Sequence, residues 1–181
     1  TAASRLAVDV SLGAQRIPLS ADRVRDFVRR TLLAEHVREA MMSVAFVSSH
    51  EIARLNREHL GHAGPTDVIS FALGSAPGAG ARTKRESPAG ATGFALRRAL
   101  RRPPSRLSAG PDHARVVGDI YICPDVVRKN AARYGSGIRE EISRVVVHGT
   151  LHTLGYEHSD GEDRTGSEMW RKQEEILARV L

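Results

Sequence analysis

Three histidines near the carboxyl end of the chain have the residue type and spacing that bind a metal ion. His148 and His152 are four residues apart, and such residues share one face of a helix. Gly155 follows the apolar Leu154 and suits the left-handed conformation that ends a helix, so the chain can turn back and bring His158 to the same point. Three imidazoles with an open fourth position are typical of catalytic zinc sites, because structural zinc sites are usually closed by four protein ligands.

The spacing H-x-x-x-H-x-x-G-x-x-H is also that of the metzincin peptidases. Those enzymes have a glutamate directly after the first histidine, and it acts as their general base. Gly149 occupies that position here and cannot accept a proton from a water molecule. A metzincin-like metallopeptidase is therefore disfavoured, although it stays an alternative.

A divalent ion in such a site can lower the pKa of a bound water from about 15.7 to about 7, and it can polarise a phosphoryl oxygen. Both effects predict hydrolytic chemistry at neutral pH. The reaction also needs a general base, and Glu157 is the carboxylate nearest in sequence. Glu157 is thus the candidate catalytic residue, with two alternatives: it orients a ligand, or it faces solvent.

The histidine motif resembles the YbeY family when it is taken together with three further motifs. These motifs occur in the family's order and are Leu55-Asn56, Pro65-Thr66-Asp67-Val68-Ile69-Ser70-Phe71 and Gly118-Asp119-Ile120. YbeY proteins are bacterial single-domain metalloproteins regarded as endoribonucleases of ribosomal RNA maturation and ribosome quality control. The resemblance implies an α+β fold with a small mixed β-sheet packed with helices. It also implies one zinc ion (Zn²⁺) per chain, bound at the C-terminal end of a central helix by His148, His152 and His158.

The resemblance further implies a single-strand-specific endoribonuclease whose partners are ribosomal RNA and the small ribosomal subunit. The turn and strand with Thr66, Asp67 and Ser70 border the active cleft in the family, so these residues, together with Asn56, are candidates for substrate binding. For Thr66 and Asp67 the alternative is ordinary turn chemistry, in which short polar side chains bond nearby backbone. Asp119 either orients a metal-ligating imidazole from the outer shell or serves as a structural acceptor near a turn.

One position departs from the family. YbeY proteins usually have an arginine where this chain has Leu60, and that arginine is thought to contact RNA or assist catalysis. Arg57 lies three residues earlier and would share a helical face with Leu60 if the helix continues, so it could supply the missing guanidinium. The alternative is a solvated arginine. The departure also gives weight to a non-catalytic ribosome-assembly factor whose metal holds the fold together.

Composition and length indicate one globular domain, residues 1–181, with 41% hydrophobic and 27% charged residues. The sequence has no apolar run of the roughly 18 to 20 residues that span a bilayer, and no apolar signal-peptide core. The single cysteine, Cys123, excludes an internal disulfide and fits a buried position at the end of a strand. We expect a cytoplasmic monomer without a membrane or disulfide partner.

Residues 74–115 form a long connection rich in Gly, Pro and Arg, which the family usually makes with far fewer residues. Nine basic and two acidic residues lie between Arg82 and Arg115, a net charge of +7 in a chain whose net charge is +6. This insertion is either a flexible, solvated loop or a polycationic arm that neutralises RNA phosphates.

Apolar periodicity and capping residues predict the remaining elements. We expect strands at 6–12, 43–48, 68–73 and 116–122. We expect helices at 21–35 after the cap Ser20, from Ser48 or Ser49 to about 60, at 124–134, from 138 to the histidine motif, and at 162–181.

Overall fold

The structure is a computed structural model that describes residues 4–73, 116–157 and 167–181. The predicted insertion at 74–115 lies outside these ranges, as does His158. The strands in the described ranges are β1 (Arg5–Ser11), β2 (Glu39–Phe46), β3 (Val68–Ala72) and β4 (Val116–Ile122). The α-helices are α1 (Ala21–Ala34), α2 (Ser49–Leu55), α3 (Pro124–Tyr134), α4 (Ile138–Thr153) and α5 (Glu168–Val180), and a π-helical turn, Asn56–Leu60, follows α2.

The four strands form one mixed sheet in the order β1-β2-β4-β3. Strands β1, β2 and β4 are parallel, whereas β3 runs antiparallel to β4. Helices α1, α4 and α5 pack on one face of the sheet. Their buried side chains, such as Val146 of α4, share one core with Val44 and Ile120 of the sheet. Helix α2 packs through Ile52 against Ile69 in a smaller cluster. The predicted α+β class and mixed sheet are thereby confirmed.

Local signals in the sequence fix most of the element boundaries. Ser20 caps α1 through a hydrogen bond from the Arg23 amide, and Ser48 forms a capping box with Glu51 at the start of α2. Pro124 is the first residue of α3, where its missing amide hydrogen costs nothing. Cys123 is fully buried at the end of β4, as predicted.

Two predicted boundaries within the described ranges were wrong by several residues. Strand β2 begins at Glu39 rather than 43, because pairing with β1 and β4 on its two sides extends it. The α-helical part of α2 ends at Leu55, and the chain widens into the π-helical turn up to Leu60. Helix α5 begins at Glu168, because Ser167 has an extended backbone and caps the Trp170 amide. The predicted start at 162 lies outside the described ranges.

None of the helices in the described ranges combines the length and the apolar character that crossing a bilayer requires.

Candidate metal centre

Helix α4 carries two of the predicted ligands, His148 and His152, on one face near its C-terminal end. Buried residues such as Val145 and Leu151 anchor the helix in the core. The helix ends as predicted: Leu154 is the cap, and Gly155 follows with a φ of 90°. The chain therefore turns immediately after the second histidine.

The two imidazoles approach each other through their Nε2 atoms. These atoms are 3.1 Å apart, and the two rings meet at 82° with their centroids separated by 4.6 Å. Both side chains are half-buried. The helix thus directs two ring nitrogens, His148 Nε2 and His152 Nε2, toward a common point.

The other ring nitrogen of each histidine contacts an oxygen acceptor. His148 Nδ1 lies 2.8 Å from Oε1 of Gln173, and His152 Nδ1 lies 2.8 Å from the main-chain carbonyl oxygen of Tyr156. The Gln173 amide is oriented by its own Nε2, which donates to Glu174 Oε1 at 3.0 Å. Because both acceptors are carbonyl oxygens, the neutral tautomer that fits these contacts has its proton on Nδ1 and its lone pair on Nε2.

This arrangement fits a bound cation. Two Nε2 lone pairs at 3.1 Å repel each other and cannot share a hydrogen bond without an added proton, whereas a metal ion between them accepts both. Nitrogen ligands of a tetrahedral zinc ion are about 3.3 Å apart when each Zn–N distance is about 2.0–2.1 Å. The described ranges contain no group of three potential ligands of the His, Cys, Asp or Glu type. The predicted third ligand, His158, lies outside them.

Gly149, between the two histidines along the chain, lies where α4 meets the sheet. A Cβ atom at this position would be 2.9 Å from Ile120 Cγ2, 3.0 Å from Ser70 Oγ and 3.2 Å from Val68 Cγ2. These distances leave no room for a side chain. Glycine at this position therefore allows β3 and β4 to pack directly against α4.

Ser70, one of the predicted substrate residues, packs against Gly149, which lies between the two histidines along the chain. Its Oγ atom is buried against Gly149, and it has no hydrogen-bond partner within the described part of the chain. Thr66 and Asp67 lie at the start of the same strand. Thr66 Oγ1 donates to Asp67 Oδ1 at 3.1 Å, and the Val68 amide donates to the same oxygen at 2.9 Å. These contacts are those of turn chemistry.

Asn56 and Arg57 lie in the π-helical turn before that strand. The buried Asn56 side chain donates to the Gly64 carbonyl at 2.9 Å and so holds the following loop in place. Arg57 is exposed, and half of Leu60 is accessible to solvent. Both residues belong to the π-helical turn, and not to the continued α-helix from which their shared face was predicted.

Asp119 lies on the other face of the sheet from α4. Side chains alternate along a strand, and the neighbours of Asp119, Gly118 and Ile120, face Thr153 and Gly149 of α4. The Asp119 carboxylate accepts a hydrogen bond from the Ser43 hydroxyl at 2.5 Å, and burial raises the pKa of Asp119. The sheet therefore separates this carboxylate from the imidazoles of His148 and His152 on α4.

Glu157 is exposed at the end of the described segment that follows α4. It directly precedes His158 in the chain, which is the position that made it the candidate general base.

Gln173 and Tyr156 contact the imidazoles, yet the sequence analysis did not identify them. Gln173 is only 1% exposed and interrupts the apolar face of α5, which also carries Met169, Ile176 and Leu177. A polar residue at a core-facing position was the available signal. Tyr156 acts through its main-chain carbonyl, which no side-chain pattern reveals.

Comparison with known proteins identifies relatives over most of the chain. Residues 11–181 match the model of the family described as Endoribonuclease YbeY. A protein named Endoribonuclease YbeY from Bacillus licheniformis is 36% identical over 140 residues, which cover 77% of this chain and 72% of that protein. One of the same name from Geobacillus thermodenitrificans is 33% identical over 159 residues, which cover 87% of this chain and 85% of that protein.

The fold also has a counterpart among solved structures. The solution structure of TM1509 from Thermotoga maritima aligns with a TM-score of 0.51 at 21% identity, over 96% of this chain and 88% of that chain. This likeness concerns the fold alone. Because the family match spans residues 11–181 and the curated relatives align over most of their own length, the chain belongs to the endoribonuclease YbeY family.

Proposed function

We propose that this protein is a zinc-dependent endoribonuclease that cleaves single-stranded ribosomal RNA during its maturation and in ribosome quality control, on the small ribosomal subunit. Membership of a family named for endoribonuclease activity supports RNA cleavage. The proposal that this cleavage depends on a metal ion rests on one observation. The Nε2 atoms of His148 and His152 face each other at 3.1 Å while both Nδ1 atoms contact oxygen acceptors.

In this proposal His148, His152 and His158 hold one zinc ion. The bound ion supplies Lewis acidity, which makes water nucleophilic at neutral pH and polarises a phosphoryl oxygen. Gln173 and the Tyr156 carbonyl keep the two described imidazoles in the tautomer that presents Nε2.

Glu157 is the proposed general base. Its exposed carboxylate accepts a proton from water as the water oxygen forms a bond to phosphorus and the bond from phosphorus to the leaving oxygen of the RNA breaks, and it then passes that proton to the leaving oxygen. Its position next to His158 in the chain supports this assignment.

We assign RNA binding to the segment that contains Asn56, Thr66, Asp67 and Ser70. The close packing of Ser70 on Gly149, next to His148, supports the idea that this segment borders the site. Asn56 and Asp67 shape the loop and the start of β3 through their hydrogen bonds. The exposed Arg57 supplies a guanidinium for a phosphate, and an unchanged RNA affinity in Arg57→Ala would remove it from that role.

A metzincin-type peptidase is opposed by the packing at Gly149 as well as by the identity of the residue. The glutamate that such an enzyme needs would have to fit between α4 and the side chains of Ile120 and Val68. Packed interiors do not accept a side chain of that size without rearrangement.

A second candidate is a non-catalytic ribosome-assembly factor with a structural metal. It is favoured by Leu60, an exposed apolar side chain where the family usually has an arginine. This candidate predicts that the protein binds ribosomes without cleaving RNA, and that metal removal unfolds it.

The experiment that separates these functions compares cleavage of ribosomal RNA fragments by the protein, by His152→Ala and by His50→Ala. His50 is an exposed histidine at the start of α2 and serves as the matched control. The proposal predicts cleavage by the protein and by His50→Ala, and loss of cleavage by His152→Ala. Equal cleavage by all three would assign the activity to a contaminant, and no cleavage by any of them would favour the assembly factor.

A further inference from the structure

The main-chain carbonyl that binds His152 belongs to a residue whose side chain is itself held in place. The Tyr156 hydroxyl donates to Glu35 Oε2 at 2.5 Å, which joins the turn after α4 to the residue that caps the end of α1. Glu35 is 121 residues away in sequence, and its side chain is only 11% exposed. The contact is thus a tertiary one, formed only when α1 and α4 are packed together.

Helix α5 supplies the cation for this carboxylate. Lys172 Nζ lies 3.1 Å from Glu35 Oε1. The next residue, Gln173, contacts the imidazole of His148. Two adjacent residues of one helix therefore support the two histidines, one directly and the other through Glu35 and Tyr156.

The direction of the Tyr156 carbonyl depends on how this short turn is held. The Tyr156 amide donates to the Leu151 carbonyl at 3.2 Å, and Gly155 before it has a φ of 90°. Gly155 carries no side chain that could anchor the turn to the rest of the protein. The tyrosine side chain supplies such an anchor through its hydroxyl.

We infer that Glu35 and Tyr156 form a positioning device that fixes the orientation of the His152 imidazole. The Glu35 carboxylate accepts a hydrogen bond from the Tyr156 hydroxyl, and this contact holds the turn that contains Tyr156 in place. The main-chain carbonyl of Tyr156 then contacts Nδ1 of His152. Both residues would act through the imidazole of His152 and not by binding the metal themselves. This inference rests on the proposed metal site, and it adds a role for Glu35 and for the side chain of Tyr156.

The test measures how tightly the metal-free protein binds zinc alone, by competition with a chromophoric chelator, and records the visible spectrum of the cobalt-substituted protein. Tyr156→Phe removes only the hydroxyl. We expect its zinc dissociation constant to rise about 10-fold, the lower end of the range for outer-shell partners, and its cobalt bands to change. Tyr134→Phe is the matched control, since Tyr134 is a 70% exposed tyrosine on α3, and both of its readouts should equal those of the unmodified protein.

Glu35→Met tests the same contact with Tyr156 intact, should Tyr156→Phe fail to fold, because methionine has no oxygen to accept the hydrogen bond of the Tyr156 hydroxyl. It should weaken zinc binding in the same direction, and the double variant should be no weaker than Tyr156→Phe alone, because both changes break one chain of contacts. Normal zinc affinity and cobalt spectra in both single variants, even with a lowered melting temperature, would overturn the inference and assign the contact to stability alone. Failure of the unmodified protein to bind zinc or cobalt would instead overturn the proposed function, and the inference with it.

Discussion

Oε1 of Gln173 lies 2.8 Å from Nδ1 of His148, although the two residues are 25 positions apart on different helices. Gln173 is almost completely buried, and a buried amide without partners would be destabilising. The amide oxygen of Gln173 contacts His148 Nδ1, and its amide nitrogen donates to Glu174. Helix α5 is therefore part of the candidate metal centre and not only of the core.

Replacing Gln173 with methionine tests this relationship. The change keeps an unbranched side chain in the core but removes the acceptor for His148 Nδ1. We expect the zinc dissociation constant to rise about 10- to 100-fold, because the imidazole loses the contact that sets its tautomer. Gln173→Glu retains an acceptor and should bind zinc more tightly than Gln173→Met. Equal zinc affinity in the unmodified protein and Gln173→Met would show that the contact does not support the site.

Gly149→Ala tests the close packing between α4 and the sheet. Its Cβ would lie 2.9 Å from Ile120 Cγ2, so the helix or the strand must shift. We expect the free energy of unfolding in urea to fall by about 1–3 kcal/mol, the usual cost of overpacking a core. Gly137→Ala is the control, because it precedes the same helix and a Cβ there meets nothing within 4 Å. A similar loss in both variants would assign the effect to the loss of glycine rather than to packing.

Local signals predicted most of the elements because each depends on a few neighbouring residues. Serine and proline are residue types that favour helix starts, as at Ser20 and Pro124, and glycine favours a helix end, as at Gly155. The start of β2 was not predictable in the same way, because its extension depends on strands that are distant in sequence. The π-helical turn Asn56–Leu60 has no composition that distinguishes it from the end of an α-helix.

Asp119→Asn tests the buried carboxyl group through the pH dependence of stability. Burial raises the pKa of Asp119 above 3.8, and the hydrogen bond from Ser43 offsets only part of this rise. The folded protein thus holds this proton more tightly than the unfolded chain does. The group favours folding below the unfolded pKa, and this contribution is lost as the pH rises through the folded pKa.

We therefore expect Asp119→Asn to be more stable to urea than the unmodified protein at pH 7, with the difference vanishing below about pH 4. Asp9→Asn is the control for removing a charge, since Asp9 of β1 is exposed and is the residue that pairs with Ser43 of β2. A difference that does not depend on pH would contradict the assignment. The zinc affinity of Asp119→Asn decides the other predicted role, because a 10-fold loss would indicate that Asp119 orients a ligand.

Glu157→Gln tests the proposed general base. We expect kcat for RNA cleavage to fall about 10²- to 10⁴-fold with zinc affinity unchanged, because the amide cannot accept the proton. Glu175→Gln, at an exposed position on α5, should leave kcat unchanged. A near-normal rate in Glu157→Gln would exclude the residue as the base, and weakened zinc binding would indicate that it orients a ligand instead.

The sequence identified the histidines of the site but not what orients them. His148 and His152 follow a helical spacing that is visible in the sequence. Gln173 and Glu35 reach the site only because α5 and α1 pack beside α4, and Tyr156 contributes a main-chain atom. Contacts of this kind depend on tertiary packing, which local sequence patterns do not specify.

The most direct measurement adds zinc stepwise to the metal-free protein and records bound zinc, RNA cleavage and helical circular dichroism on the same samples. We predict a folded metal-free protein whose cleavage rate rises in proportion to bound zinc and reaches a plateau at one zinc ion per chain. Cleavage at full rate without metal would contradict the account. So would zinc that binds and restores the helical signal without any cleavage, since that result describes a structural metal.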